Sequence, residues 1–319
     1  MRKLLHFLRG YEKESVFAPL FKMLEATFEL IVPLVMARII DVGIKNQDVS
    51  YIWKLGGILV IFGVLGLASS LTAQYFAAKA AVGFGTALRH AMFHHIQQLS
   101  YGEIDRAGSS TLVVRITSDI NQVQTGVNMV LRLFLRSPFI VVGAMIMAFT
   151  IDVKTAVIFL IAVPLLAFVI YGIMMLTIPL YKKVQKRLDQ VLLSTRENLA
   201  GIRVIRAFRT QNQEMQEYEE KSSSLMQLQL KVGRISALLN PITYVFVNLG
   251  IIAVVWYGGG AVNVGRITQG EVIALVNYMS QILLALVMIA NLIISFTKAM
   301  ASAGRINEVF DLKPGIKDG

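Results

Sequence analysis

The chain has 319 residues, of which 55% are hydrophobic and only 16% charged, with a mean hydropathy of +0.62. A water-soluble domain cannot bury several apolar runs of about 20 residues, so the composition describes a multi-pass membrane protein and excludes disordered and disulfide-scaffold classes. The net charge is +11, and no cysteine is present. Cysteine-ligated metal and thiol catalysis are therefore excluded, and the basic balance reads as contact with lipid headgroups rather than nucleic acid.

Arg2 to Arg9 form a short amphipathic basic segment. It predicts an interfacial elbow helix within residues 1–15, lying on the cytoplasmic leaflet. The next stretch, Val16 to Val42, is apolar but holds Lys22, Glu25, Glu29 and Arg38. Glu25 and Glu29 are four residues apart, and Lys22 is three before Glu25. One helical face thus carries all three. Such a face must meet a partner helix, as a Lys–Glu pair, or line a polar cavity that recognises substrate.

Five further spans are marked by missing charge: Leu55 to Ala78, Ser137 to Ile151, Thr155 to Tyr181, Ile235 to Gly265 and Val272 to Thr297. The short one extends backwards through Leu131, Leu133 and Leu135, with Arg132 and Arg136 expected to snorkel. Six spans result. Of the 31 Lys and Arg residues, 25 fall on the side that holds both termini and only four in the opposite loops. The positive-inside rule makes that side cytoplasmic.

Roughly 50 residues separate spans 2 and 3, and again spans 4 and 5. The segments Lys79 to Ser100, Arg115 to Asn128, Tyr181 to Arg206 and Glu214 to Lys231 lack proline and keep apolar residues at three- and four-residue spacing. Helices are predicted to continue about 30 Å past the bilayer. Hairpins of that length suggest that something cytosolic is gripped at their tips. Glycines and serines break the first tip at Ser100 to Ser110. The second tip holds Phe208 between cations, either tucked back or used as a docking anchor.

Four stretches in order carry a family resemblance: Pro33 to Asp41; Leu99-Ser100 with Asp105-Arg106 and Arg115 to Asp119; Gly201 to Phe208 with Glu214; and Ala303 to Ile306 with Val309-Phe310. The chain resembles the transmembrane half of an ATP-binding cassette exporter. The resemblance implies an all-α membrane protein of the type I exporter fold. Its six long helices would extend into the cytosol, and it would pair as a homo- or heterodimer. It also implies a six-span domain over 16–312 and, at 313–319, the start of a linker to a nucleotide-binding domain. Each tip would be a coupling segment seated in such a domain: Asp105, Arg106, Ala107, Gly108, Ser109 and Ser110, with the first coupling helix at about Arg106 to Leu112; then Ala207, Phe208, Arg209, Thr210, Gln211 and Asn212. Two aromatics commonly precede the Asp in this family, where Glu103-Ile104 stand here.

The chain has no Gly-Lys pair and no Leu-Ser-Gly-Gly run, so it lacks the phosphate loop that cradles ATP. It is expected to be no enzyme by itself and to be a piece of a longer ATP-hydrolysing translocase. ATP and Mg²⁺ would be held in the missing domain. No catalytic set is evident. His90, His94 and His95 share a helical stretch but find no third metal ligand, so they read as solvated surface and no metal is expected.

Polar residues in register mark a candidate pathway. On span 6 these are Asn277, Gln281, Met288, Asn291 and Ser295; on span 5, Asn240, Tyr244 and Asn248; Glu25 and Glu29 join them from span 1. Buried carboxamides seek partner helices or water. A small amphipathic or lipophilic substrate (drug, lipid or peptide) suits that mixture, including a cationic one. Pro33, Pro164, Pro179 and Pro241 interrupt spans and permit kinks. The setting is the bacterial inner membrane. The competing readings are an ion-gradient transporter using Glu25 and Glu29, and a membrane scaffold or sensor that only docks partners.

Overall fold

The computed structural model describes residues 4–312, and the segment 313–319 assigned to a linker lies outside them. Every regular element among the described residues is helical. After a 3₁₀ turn at Leu5–Leu8 come α1 (Glu12–Arg38), α2 (Val49–Gln97), α3 (Tyr101–Ala107), α4 (Ser109–Val114), α5 (Ile120–Leu133) and α6 (Arg136–Ile151). They are followed by α7 (Val153–Ala200), α8 (Ile202–Ala207), α9 (Gln211–Ala237), α10 (Leu239–Asn263) and α11 (Gln269–Phe310). Wide π turns join α1 to the loop before α2 at Ile39–Ile44, and α4 to α5 at Arg115–Asp119.

Five helical stretches are long and apolar enough to cross a membrane: Val49–Gln97, Ser109–Ile151, Val153–Ala200, Gln211–Asn263 and Gln269–Phe310. α1, at 27 residues, has the length to cross as well, since ~20 suffice. Its charges alone set it apart by composition. The 49, 48 and 42 residues of α2, α7 and α11 exceed any bilayer need, as the spacing of apolar residues predicted for α2 and α7 and the family resemblance implied for α11.

The chain's punctuation explains the breaks. Pro138 has no N–H to offer the Phe134 carbonyl, and the helix is interrupted between Leu133 and Arg136. Pro241 likewise has no N–H to offer the Ala237 carbonyl, and α9 ends there. Pro33, Pro164 and Pro179 instead lie inside continuous helices. Asp48 starts α2 by accepting from the Tyr51 N–H at 3.0 Å. Thr268 and Glu271 close a reciprocal cap on α11.

Two compact units result. The first is Met1–Leu160 with Gly250–Gly319. Within it α1 packs along α2, and α11 packs against α1, α5 and α6. Fully buried alanines, among them Ala26, Ala73, Ala77, Ala144 and Ala274, let these backbones approach closely. On the basic side, Phe84, Leu88, Met92, Ile120, Val123 and Ile306 form the main hydrophobic cluster. Leu4 is buried in that same cluster, with Phe7 and Leu8 packed against it. Of the predicted interfacial segment, residues 2 and 3 lie outside the described residues, and Leu5–Leu8 form a 3₁₀ turn packed on the bundle. Leu4, Phe7 and Leu8 find protein to cover them, while Leu5 is exposed.

The second unit is Ile161–Leu249. It comprises most of α7, then α8, α9 and the start of α10. Val191 and Leu225 are buried within it, and Lys221 reaches Ser194 Oγ at 3.4 Å across the hairpin.

Candidate functional site

In the first unit the tip is built around a glycine. Ser100 caps α3 and Glu103 answers it: the Ser100 N–H donates to Glu103 Oε2 at 2.8 Å. α3 then runs only to Ala107, because Gly108 adopts φ +78°, a conformation that side chains with a Cβ avoid. Its N–H closes the helix onto Ile104 O at 2.9 Å. Ser109 and Ser110 open α4 beyond it. The break therefore falls inside the expected coupling helix at Arg106 to Leu112. The free helix at the tip is Tyr101–Ala107, with Asp105 and Arg106 exposed at its end. Ile104 and Ala107 hold it down by packing on the main cluster, while Tyr101 stands 88% exposed.

In the second unit α8 ends at Ala207 in a Schellman turn. Thr210 N–H bonds Ile205 O at 3.1 Å and Arg209 N–H bonds Arg206 O at 3.3 Å. Arg209 holds the left-handed position, φ +54°, which glycine usually fills. That geometry throws Phe208 outward at 76% exposure. Gln211 and Asn212 open α9. Phe208 is therefore not tucked back within its own unit, and Arg203, Arg206 and Arg209 flank it in sequence.

The candidate pathway residues divide between the two units. In the first, Arg136 gathers several of them. Its guanidinium donates to Glu29 at 2.7 Å, lies 3.9 Å from Glu25, and approaches Met288 Sδ at 3.5 Å. Gln281 Nε2 donates to Glu29 O at 3.3 Å. Lys22 is buried, pairs with Glu25 at 2.5 Å and donates to Ser70 Oγ on α2 at 3.0 Å. Two cations thus neutralise two carboxylates. Arg136 does not snorkel; its side chain is 11% exposed, because opposite charge on α1 satisfies it better than a strained reach to the surface. The reading of Lys22, Glu25 and Glu29 as one polar face holds, and its counter-charge had been overlooked. Arg136 could have been found as the cation at the foot of a charge-free run, opposite in sign to two glutamates that need a partner.

The remaining pathway residues sit on α11 in the first unit and on the start of α10 in the second. Asn277 Nδ2 turns back onto Ile273 O at 3.0 Å, and Asn248 Nδ2 onto Tyr244 O at 2.8 Å. Asn240, Tyr244 and Asn291 are exposed, and Ser295 is half-buried. Tyr278, beside the stripe, is core: its buried hydroxyl donates to Leu30 O at 2.7 Å.

Two clasps bind the ends of α11. At the tail, Arg305 forks onto both carboxylate oxygens of Asp119, which also accepts from Arg115 at 3.0 Å. Burial opposes charge at Asp119, but the hydrogen bonds from Arg305, Ser302 and Arg115 outweigh it and hold the carboxyl below its usual range. His95 Nε2 lies 3.1 Å from Val309 O, and its ring meets Phe310. It is therefore a packing residue of this clasp rather than solvated surface. At the other end, Asp41 accepts from the Thr268 hydroxyl at 2.5 Å and the Gly270 N–H at 2.9 Å. Asp152 accepts from Thr155 and from Arg266 at 3.0 Å. Burial again opposes charge at Asp152, and these donors hold its carboxyl below the ordinary range.

Residues 16–286 match a family model described as the ABC transporter transmembrane region. An uncharacterized ABC transporter ATP-binding protein of Bacillus subtilis, YfiB, is 32% identical over 311 residues, covering 98% of this chain and 54% of that protein. An uncharacterized ABC transporter ATP-binding protein of Mycobacterium tuberculosis is 31% identical over 304 residues, covering 95% of this chain and 52% of its own length. A multidrug efflux ATP-binding/permease protein of the same species is 24% identical over 317 residues, 98% of this chain and 26% of that protein. The chain spans about half the length of the first two relatives.

Proposed function

The chain belongs to the ABC transporter transmembrane family, and from that premise we propose that it forms one half of the substrate pathway of an ATP-driven exporter. Two such halves enclose the path, and each works with a nucleotide-binding domain. The chain itself offers no phosphate loop, so ATP and Mg²⁺ are assigned to those domains. The basic side, with both termini, is cytoplasmic, in a bacterial inner membrane. Relatives named as ATP-binding and as multidrug efflux proteins support this reading.

The observation that carries it is the tip of the second unit. A capped turn holds an aromatic ring clear of its own unit, flanked by arginines, at the end of helices far longer than a bilayer. An exposed aromatic costs solvation unless a partner covers it. The substrate is amphipathic or lipophilic. Because Lys22 and Arg136 neutralise Glu25 and Glu29, charge selection for cations is not the recognition principle. Nucleotide binding at the associated domains acts by shifting the population between inward- and outward-facing states.

The test is Phe208→Ala in the assembled transporter. Transport per ATP hydrolysed should fall at least fivefold while ATPase activity persists. Wild-type coupling in that variant removes the docking role. Uptake driven by a proton gradient without ATP would overturn the whole reading.

A further inference from the structure

The hairpin of the second unit carries a groove that no transport role requires. Lys183, Lys186 and Arg187 on α7 and Lys231 on α9 line a space of about 690 Å³, within the ~300–1,000 Å³ range of ligand sites. Positions 183, 186, 187 and 190 step by three and four residues, so one face of α7 presents them together. Among the described residues none of the three lysines makes an ion pair, and Arg187 donates to Gln190 Oε1 at 3.2 Å. Asp189 lies about a third of a turn from the middle of that face, does not line the groove, and accepts from Gln185 at 3.1 Å. No Asp or Glu occurs between Glu220 and Glu271. Four cations therefore line the groove with no acid in its lining, a field that attracts an anion.

The depth of the groove identifies the anion. The charge-free runs end at Tyr181 on α7 and begin at Ile235 on α9, and Tyr181 Oη lies 3.5 Å from Ser236 Oγ at that level. At 1.5 Å per residue, Lys183, Lys231 and Arg187 lie about 3, 6 and 9 Å past this boundary. The headgroup layer of one leaflet is about 5–8 Å deep. Above the cations Leu176, Ile178 and Leu238 are exposed, and Leu228 lines the groove itself. Basic pockets between helices at this depth suit lipid phosphates.

We infer that this groove binds the headgroup of an anionic glycerophospholipid. Phosphodiester oxygens meet the four cations, and glycerol hydroxyls meet Gln190, Ser224 and Gln227. The acyl chains lie on the exposed apolar face above. Four cations match a two-phosphate headgroup better than a one-phosphate one. Soluble polyphosphate offers the same oxygens but has no chains for the apolar face. The inference stands whether or not the chain is part of an exporter.

The experiment is native mass spectrometry of the delipidated full chain in neutral detergent. Diphosphatidylglycerol, phosphatidylglycerol, phosphatidylcholine and inorganic pyrophosphate are titrated separately. Diphosphatidylglycerol should be retained most tightly, and pyrophosphate should neither be retained nor displace it. The triple variant K183Q/K186Q/K231Q should weaken retention at least tenfold. A control, K13Q/R196Q/K298Q, removes the same charge from exposed positions elsewhere and should change it less than twofold. All six side chains are exposed, so both triples should unfold at the wild-type temperature without lipid. The rise in that temperature with diphosphatidylglycerol should disappear only in the groove triple. Equal losses in both triples would reduce the effect to bulk charge and overturn the site. Pyrophosphate retention abolished by the groove triple would reassign the site to a soluble anion.

Discussion

Arg136 shows how a single residue ties distant parts of the chain together. It links α6 to Glu29 of α1 and touches Met288 of α11. Removing one partner of such a pair leaves the other charge uncompensated, whereas replacing both is far milder. Arg136→Met should destabilise the fold by about 2–3 kcal/mol, less than the ~3–5 of a fully buried pair, because the Glu29 side chain is 40% exposed. Arg136→Met with Glu29→Gln should recover more than half of that loss. Thermal unfolding in detergent would measure the cycle, and additive losses would refute the coupling. Asp119 makes a second residue-scale case. Its carboxyl is held below the usual range, so its clasp contributes fully above the unfolded pKa near ~3.9. That contribution is lost as pH falls through the lowered folded value. Asp119→Asn should cost about 2 kcal/mol at neutral pH and nothing extra once wild type has protonated. A loss independent of pH down to the acid limb would contradict this.

Helix contacts depend on what is small. Gly126 of α5 faces Ala299 of α11, and a side chain there would collide with the alanine methyl. Gly126→Leu should cost about 1–3 kcal/mol as an overpacked seam. Gly102, with nothing near it, should accept alanine within about 0.5 kcal/mol. Comparable midpoints for the two variants would mean that α5 and α11 do not pack as described. The helical character of these segments was legible from apolar spacing, and Pro241 announces one interruption, whereas the break before Pro138 falls inside a span read as continuous from Leu131. The end of α3 was not legible, because Gly108 could as well have sat within a coupling helix at Arg106 to Leu112. Only its positive φ shows that the chain turns there.

For the whole molecule, the absence of cysteine makes topology directly measurable. Single replacements Lys45→Cys and Phe208→Cys in oriented inner-membrane vesicles should label from opposite sides with an impermeant thiol reagent. Labelling of both from one side would overturn the positive-inside orientation.

Composition and periodicity determined by themselves that this is a multi-pass helical membrane protein with helices extended on its basic side. Hydropathy and local spacing are properties of contiguous residues, and a bilayer leaves a chain no other way to satisfy its backbone. Order along the chain likewise sufficed for the family. What only the tertiary structure decided were pairings between remote residues. Arg136 meets Glu29 across 107 positions, and Asp119 meets Arg305 across 186. Asn277 and Asn248, each in register with polar neighbours on its own helix, donate to a carbonyl of that same helix. A register states which face a side chain occupies. Whether that face meets a counter-charge, its own backbone or open space depends on how separate helices are packed, and that is settled only when burial free energy is shared across the whole bundle.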